Sequence, residues 1–419
     1  MRQGYWLAGA ALASIWATGA IAAPSPEQVA EAVLRAAPVW DGHNDVPEQL
    51  RDRRKDMLAG FDFRDTANTA GDGRAAMQTD LLRLRKGRVG AQFWSVYVSA
   101  ELDEQHAVQA VLEQIDVAKR LIAANPGAMQ FAQSSADVEK AMKAGRIASL
   151  LGMEGGHSIG GSLGVLRQMY ALGARYLTLT HFRNTAWADS ATDAPAHDGL
   201  TDFGRDVVRE MQRIGMLVDL SHTSAATMND ALDVAGAPVI FSHSNARAVN
   251  GHARNVPDDV LRRLAANGGI VMVNFYPPYV VEATRQWQAE RAGEKARLAS
   301  LHVGDPAAAD AALAAWEHAH PMPRGSLRDV ADHIEHVIKA AGVDHVGLGG
   351  DLDGVETTVA GLDDASTYPA LFAELARRGH SQADLEKIAS RNMMRVMKAA
   401  EAYAAGHRGD PPIESPTVF

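Results

Sequence analysis

The chain has 419 residues, 47% hydrophobic and 22% charged, an ordinary globular composition with enough apolar material for a large core. Net charge is −10 with a sequence pI near 5.9 and no basic run, which argues against a nucleic-acid partner. There is no cysteine, which excludes a disulfide framework and a lipid-attachment thiol.

Residues 1–22 read as a cleaved signal peptide: Arg2 supplies a positive start, Leu7 to Ile15 a short apolar run, and Ala20-Ile21-Ala22 a small-x-small cut site. The run is too short to favour a spanning helix. No apolar carboxy-terminal tail offers a glycolipid anchor. The expectation is an exported protein, periplasmic and without a stable membrane anchor. Residues 23–405 then form one domain, and 406–419 a polar, proline-containing tail.

Ser25-Pro26-Glu27 is a helix start and predicts a helix to Ala37. A buried strand follows and ends in Asp41-Gly42-His43-Asn44-Asp45, where alternation on an extended backbone sends His43 and Asp45 to one face. Residues 51–88 read as a long loop with a helix around Met77–Lys86. Strands are predicted over 90–98, 147–153, 176–180, 216–221, 238–242, 270–275 and 346–350, mostly as continuous apolar runs. Helices are predicted over 104–124, 163–169, 201–214, 224–235, 258–266, 327–341, 368–378 and 382–404. Residues 282–325, alanine-rich and charged with helical period, read as a helical insertion after the seventh strand. Eight strand–helix alternations predict an α/β fold, a (β/α)8 TIM-type barrel. Chemistry in such barrels lies at the carboxy-terminal strand ends. Six predicted strands end there in His43/Asp45, Glu154, His181, His222, His243 and Asp351.

His43, Asp45, Glu154, His222 and His243 have the character of metal ligands. Imidazoles and carboxylates without thiolate suit zinc, or else manganese, iron or cobalt. Five ligands with a glutamate able to bridge fit two metals, roughly 3.5–4 Å apart, which would activate water and polarise a carbonyl. Asp351 is the natural base and later acid, and His181 the natural oxyanion donor or substrate orienter. Arg254 lies just beyond the sixth predicted strand, where a guanidinium can grip a substrate carboxylate or pair with Asp258 or Asp259.

Long ordered motifs resemble the membrane (renal) dipeptidase family from about residue 35 to 400. They include Trp40-Asp41-Gly42-His43-Asn44-Asp45, Glu154-Gly155-Gly156-His157, Val218-Asp219-Leu220-Ser221-His222, Phe241-Ser242-His243-Ser244, Arg254-Asn255-Val256-Pro257 and Gly349-Gly350-Asp351-Leu352-Asp353-Gly354. The resemblance implies a binuclear zinc dipeptidase: one metal on His43 and Asp45, the second on His222 and His243, and Glu154 bridging. It implies His181 as catalytic or orienting histidine, Arg254 as carboxylate binder and Asp351 as acid/base, with Asp353 second in line. Tyr97 and Tyr279 resemble its pocket tyrosines. The implied substrates are short dipeptides with a free carboxylate, including L-Xaa-D-Xaa. Any homodimer would be held without a disulfide.

One departure stands out. Some members carry an aromatic residue where this chain has Glu48. A pocket-facing Glu48 would favour a cationic amino-terminal residue; the alternative is a solvated loop carboxylate. Two other functional readings compete: a binuclear amidohydrolase acting on N-acyl-amino acids or related amides, and a binding protein that keeps the barrel without turnover.

Overall fold

The computed structural model describes residues 24–71 and 73–418, together with residues 1 and 4. The expected signal peptide therefore falls almost wholly outside the described residues. The strands are β1 (Val39–Asn44), β2 (Val89–Tyr97), β3 (Met129–Phe131), β4 (Ile147–Glu154), β5 (Ala174–Thr178), β6 (Leu217–Asp219), β7 (Ile240–Phe241), β8 (Ile270–Val273) and β9 (Val346–Leu348). They pair in parallel in the order β2-β1-β9-β8-β7-β6-β5-β4, and β4 pairs back onto β2. The sheet is thus a closed eight-stranded parallel barrel wrapped by helices, the TIM-type fold the alternation predicts. The ninth strand, β3, adds only to the base of β4, with Met129 opposite Ile147.

Two apolar layers hold the barrel. Inside, Trp40, Phe93, Leu150, Tyr176, Ile240 and Met272 fill the lumen, and Met393, Val396 and Met397 of the last helix pack against them. Outside, the opposite strand faces meet the helices in a larger cluster. Strands buried on both faces explain the unbroken apolar runs in the sequence. Several helices begin where a side chain caps them: Ser25 with Gln28 forms a capping box, and Asp103, Ser162, Thr201 and Ser224 each accept from a backbone N–H of the first turn.

Several elements differ from the sequence reading. A helix spans Val46–Arg54 where a loop was expected to start; Pro47 opens its first turn and left-handed Lys55 ends it. β3 and the helix Ser135–Lys143 lie between the predicted 104–124 helix and β4, and β3 is too short to show a period. The expected helix 382–404 is broken by a π-turn over Lys387–Arg391. The 282–325 stretch is helical, as Glu282–Leu301 and Pro306–Ala319. No described helix is long and apolar enough to cross a membrane.

Candidate metal centre

Every expected ligand converges on the carboxy-terminal end of the barrel. Glu154 is the last residue of β4 and lies at the centre of the group. Its Oε2 is 3.3 Å from His43 Nε2, and its Oε1 is 3.0 Å from His222 Nε2, 3.3 Å from His243 Nε2 and 3.8 Å from His181 Nε2. His43 Nε2 is also 3.3 Å from Asp45 Oδ2 and 4.0 Å from Asp351 Oδ1. All seven side chains are buried. Three overlapping triads have donor atoms close enough to share an ion: His43–Glu154–His243, Glu154–His181–His222 and His43–Asp45–Asp351.

His43 and Asp45 meet by a different route from the one expected. The register of β1 against β2 shifts between Asp41 and Asn44, and Asp45 has left the strand for the residue just before the helix Val46–Arg54, at φ −103° and ψ 26°, with its side chain free of the helix backbone. A strand irregularity plus a helix turn, not plain alternation, aims both side chains inward. His222 and Asp351 stand in left-handed turns just past their strands, at φ 66° and 59°. That conformation is costly outside glycine and is kept where the surroundings enforce it.

A supporting layer fixes the ligands. His43 Nδ1 is 2.9 Å from Tyr176 Oη. Ser242 Oγ donates to Asp219 Oδ2 at 2.6 Å and lies 2.8 Å from His243 Nδ1. Asp219 also accepts from Thr178 Oγ1 at 2.5 Å and from the Ser221 and Ser242 backbone N–H groups. Asp41 accepts from the N–H groups of His43 and Gly350, from Gln92 and from Tyr368, which ties β1 to β9 beside the site. Ser95 donates to Glu154 Oε2 at 3.2 Å.

The electrostatics are those of a cation site. Burial alone would raise Glu154, but the His43 and His181 imidazoles and hydrogen bonds from His222 and His243 hold its carboxyl well below its ordinary range. Burial pushes His181 down to about 4, and it drives His222 and His243 well below the ordinary imidazole value. Neutral imidazoles are the metal-binding form; His43 alone, against its burial, is raised well above the ordinary value by Tyr176, Asp45 and Glu154, so metal would displace its proton. Asp45 Oδ2 is buried with no hydrogen-bond donor. Four imidazoles and three carboxylates around one orphaned oxygen fit divalent metal.

The sequence matches the model of the membrane dipeptidase family, peptidase family M19, over residues 27–410. The chain belongs to the membrane dipeptidase family. It is 40% identical over 406 residues to an uncharacterized dipeptidase of Schizosaccharomyces pombe, covering 93% of this chain and 87% of that one. Its fold matches the crystal structure of the probable dipeptidase PvdM from Pseudomonas aeruginosa, with a TM-score of 0.77 and 22% identity over 90% of this chain and 99% of that one. A metallopeptidase from Rhodobacter sphaeroides, solved with a phosphinate mimic of the dipeptide L-Ala-D-Ala, matches with a TM-score of 0.68 and 23% identity over 87% of this chain and 99% of that one.

The candidate ligand set opens into a cavity of about 260 Å³ whose walls include Tyr97, His181, Tyr279 and Asp351. Burial pushes Asp351 up to about 7 against the pull of His43, and Asn274 Nδ2 donates to its Oδ2 at 2.7 Å. Asp353 faces elsewhere: its Oδ1 accepts from the Gln78 N–H at 2.8 Å. Arg254 is fully buried behind the cavity, donating to Ser244 Oγ at 2.7 Å and to His243 O at 3.1 Å. Its Nε has no partner, its guanidinium lies 5.5 Å from the Tyr279 ring centroid, and no carboxylate among the described residues pairs with it. Asp258 is taken instead by His336, at 2.8 Å. Glu48 lines the cavity as well. Burial and the nearby Asp45 push its carboxyl up to about 9.

Sequence reading passed over Tyr176, Asn274 and Tyr276 at the site. Asp219 carried a usable signal, a lone carboxylate in the apolar run Leu217–Leu220. Tyr176 carried none, because an aromatic in a strand reads as packing. A larger groove of about 1010 Å³ opens over residues 49–82, but none of the metal-competent triads lies there.

Proposed function

We propose that this dipeptidase is a binuclear zinc enzyme that cleaves dipeptides with a free carboxylate, L-Xaa-D-Xaa among them. The observation that carries it is the position of Glu154, with one carboxylate oxygen toward His43 and the other toward His222 and His243. A carboxylate divided in this way suits a bridge between two ions. His43 and Asp45 would hold one, and His222 and His243 the other. Bound there, the metals supply Lewis acidity and lower the pKa of water.

The chain's own residues account for the remaining work. Asp351, pushed up to about 7 by burial, is poised to take a proton and return it to the leaving amine at neutral pH. His181, kept neutral by burial, donates a hydrogen bond to the carbonyl oxygen as charge develops there. Arg254 attracts the substrate carboxylate; its unpaired Nε and its lack of a carboxylate partner support that role. Tyr97 and Tyr279 flank the bound dipeptide. A free carboxylate held at one end limits substrate length, because a longer peptide would put a neutral amide there. The motif in residues 1–22 supports a periplasmic site of action.

The test is one panel on metal-loaded protein: L-L and L-D dipeptides, their carboxy-terminal amides and N-acetyl-amino acids, with metal counted on the same sample. Two zinc ions per chain with cleavage of free dipeptides, L-D included, and little cleavage of the amides is the expected result. Cleavage of N-acetyl-amino acids alone would keep the metal centre and overturn the substrate. One metal at full activity would overturn the bridge.

A further inference from the structure

The cavity over the metal ligands is closed on one side and open on another. On the closed side stand His243 and Tyr279, with Arg254 buried behind them. On the open side the wall is built by Glu48, on the helix after β1, and by Gly354, Val355 and Glu356, in the loop after β9. These four residues also line an adjoining cleft of about 660 Å³. Glu48 follows β1 and His243 follows β7, two strands that β9 and β8 separate around the barrel. A dipeptide whose carboxylate is drawn toward Arg254 therefore has its amino-terminal residue directed toward Glu48 and Glu356. This orientation rests on the dipeptide reading above.

The open wall is acidic. No lysine or arginine lines the cavity, and five carboxyls do: Asp45, Glu48, Glu154, Asp351 and Glu356. The metals and the proton transfer account for Asp45, Glu154 and Asp351, which leaves Glu48 and Glu356. In the adjoining cleft the cations are committed elsewhere. Arg53 donates to Gln49 and to the Thr69 and Ala75 carbonyls, and Arg74 pairs with Asp52 at 3.3 Å. Glu48 itself has one hydrogen bond, at 3.3 Å from Arg51 Nη2, while Arg51 Nη1 is held at 2.6 Å by Tyr97 O. Among the described residues Glu356 has no hydrogen-bond or ion-pair partner, and it is exposed at the rim. A half-buried carboxyl with one long contact gains from an arriving cation, which favours its charged form. The substrate's α-amino group is attached next to the reacting carbonyl and stays over the ligands. Only the side chain leads outward along the wall that carries both glutamates.

We propose that Glu48 and Glu356 form a subsite for a cationic side chain on the amino-terminal residue, which makes lysyl and arginyl dipeptides the preferred substrates.

The experiment compares kcat/KM for lysyl and arginyl dipeptides with their norleucyl and citrullyl counterparts, all with one carboxy-terminal residue. It uses metal-loaded full chain, wild type against Glu48→Gln, Glu356→Gln and the double variant, with metal content and Tm checked for each. Wild type should favour the cationic substrates by about tenfold or more, mainly through KM, as expected of a charge-assisted hydrogen bond. Each single variant should cut that ratio several-fold, and the double variant should abolish it. Glu356→Lys, a change on the exposed rim that the fold tolerates, should turn preference toward a glutamyl amino terminus. Equal rates for cationic and neutral substrates in wild type, or an unchanged ratio in the variants, would overturn the subsite. A parallel fall of cationic and neutral substrates would also overturn it, by assigning the glutamates to the α-amino group. Failure to cleave any dipeptide while N-acetyl-amino acids turn over would remove the dipeptide reading first, a different result from unselective dipeptide cleavage.

Discussion

Glu154 shows how much one side chain is asked to do here. It ends β4, faces four imidazoles, and accepts from Ser95. A carboxylate buried this deeply is stable only if its charge is met. The imidazoles that meet it must in turn be aimed. For His43 that aim comes from Tyr176, whose hydroxyl lies 2.9 Å from Nδ1 and so leaves Nε2 as the ring nitrogen that faces Glu154. Removing that hydroxyl alone tests the idea. Tyr176→Phe keeps the ring in the lumen, where it packs 4.9 Å from Phe93 between centroids. Metal affinity in chelator competition should drop about 10- to 100-fold, the usual weight of a lost supporting hydrogen bond. Melting of the metal-free protein should move little. An unchanged affinity would assign the orientation of His43 to packing.

At the scale of elements, the strand ends do the positioning, and most of them were readable. A parallel barrel buries both strand faces, so its strands appear as apolar runs, and the first ligand-type residue after each run marks the catalytic end. That reading places Glu154, His181, His222, His243 and Asp351 at one end of the barrel, and the structure gathers them there. His43 and Asp45 were found for a partly wrong reason, because the shift in β1 and the helix at Val46 leave no trace in a two-residue spacing. That helix was hidden by its charged, Arg-rich composition, and β3 by its length of three residues. Tyr176 was hidden by long-range geometry: it reaches His43 across the lumen because β4 carries glycine opposite it. A Cβ at Gly152 would stand 1.9 Å from Tyr176 Cζ. Gly152→Ala should therefore push the ring away, destabilise the fold by about 1–3 kcal/mol as overpacking does, and weaken metal binding in the same step. Denaturant melts and chelator competition on one sample measure both. Loss of stability with undiminished metal affinity would break the proposed link from β4 through Tyr176 to His43.

On the scale of the whole molecule, the barrel keeps its lumen apolar at one end and gathers buried ionisable groups at the other. Folding, proton binding and metal binding are therefore coupled. In metal-free protein Asp351 is raised from 3.8 to about 7, Glu48 from 4.5 to about 9, and His43 well above 6.5. The folded chain thus holds protons that the unfolded chain releases, and stability falls as pH rises through those folded values. His181, His222 and His243 act in the opposite sense, since their folded values lie below 6.5; their contribution to the slope ends once pH passes 6.5. Glu154 acts only below 4.5, where stability is lost as pH falls. Between pH 6.5 and 9 the raised groups are left to set the slope, so the Tm of chelated protein should decline steadily across that interval. Metal takes the place of the protons on the same ligands and should flatten the curve. The gain in Tm on adding zinc should then be larger near pH 8.5 than near pH 6.5, and Glu48→Gln should shrink the decline of the chelated protein without abolishing it. Parallel curves with and without metal would locate the proton linkage outside the candidate metal centre and detach stability from the residues proposed to hold metal.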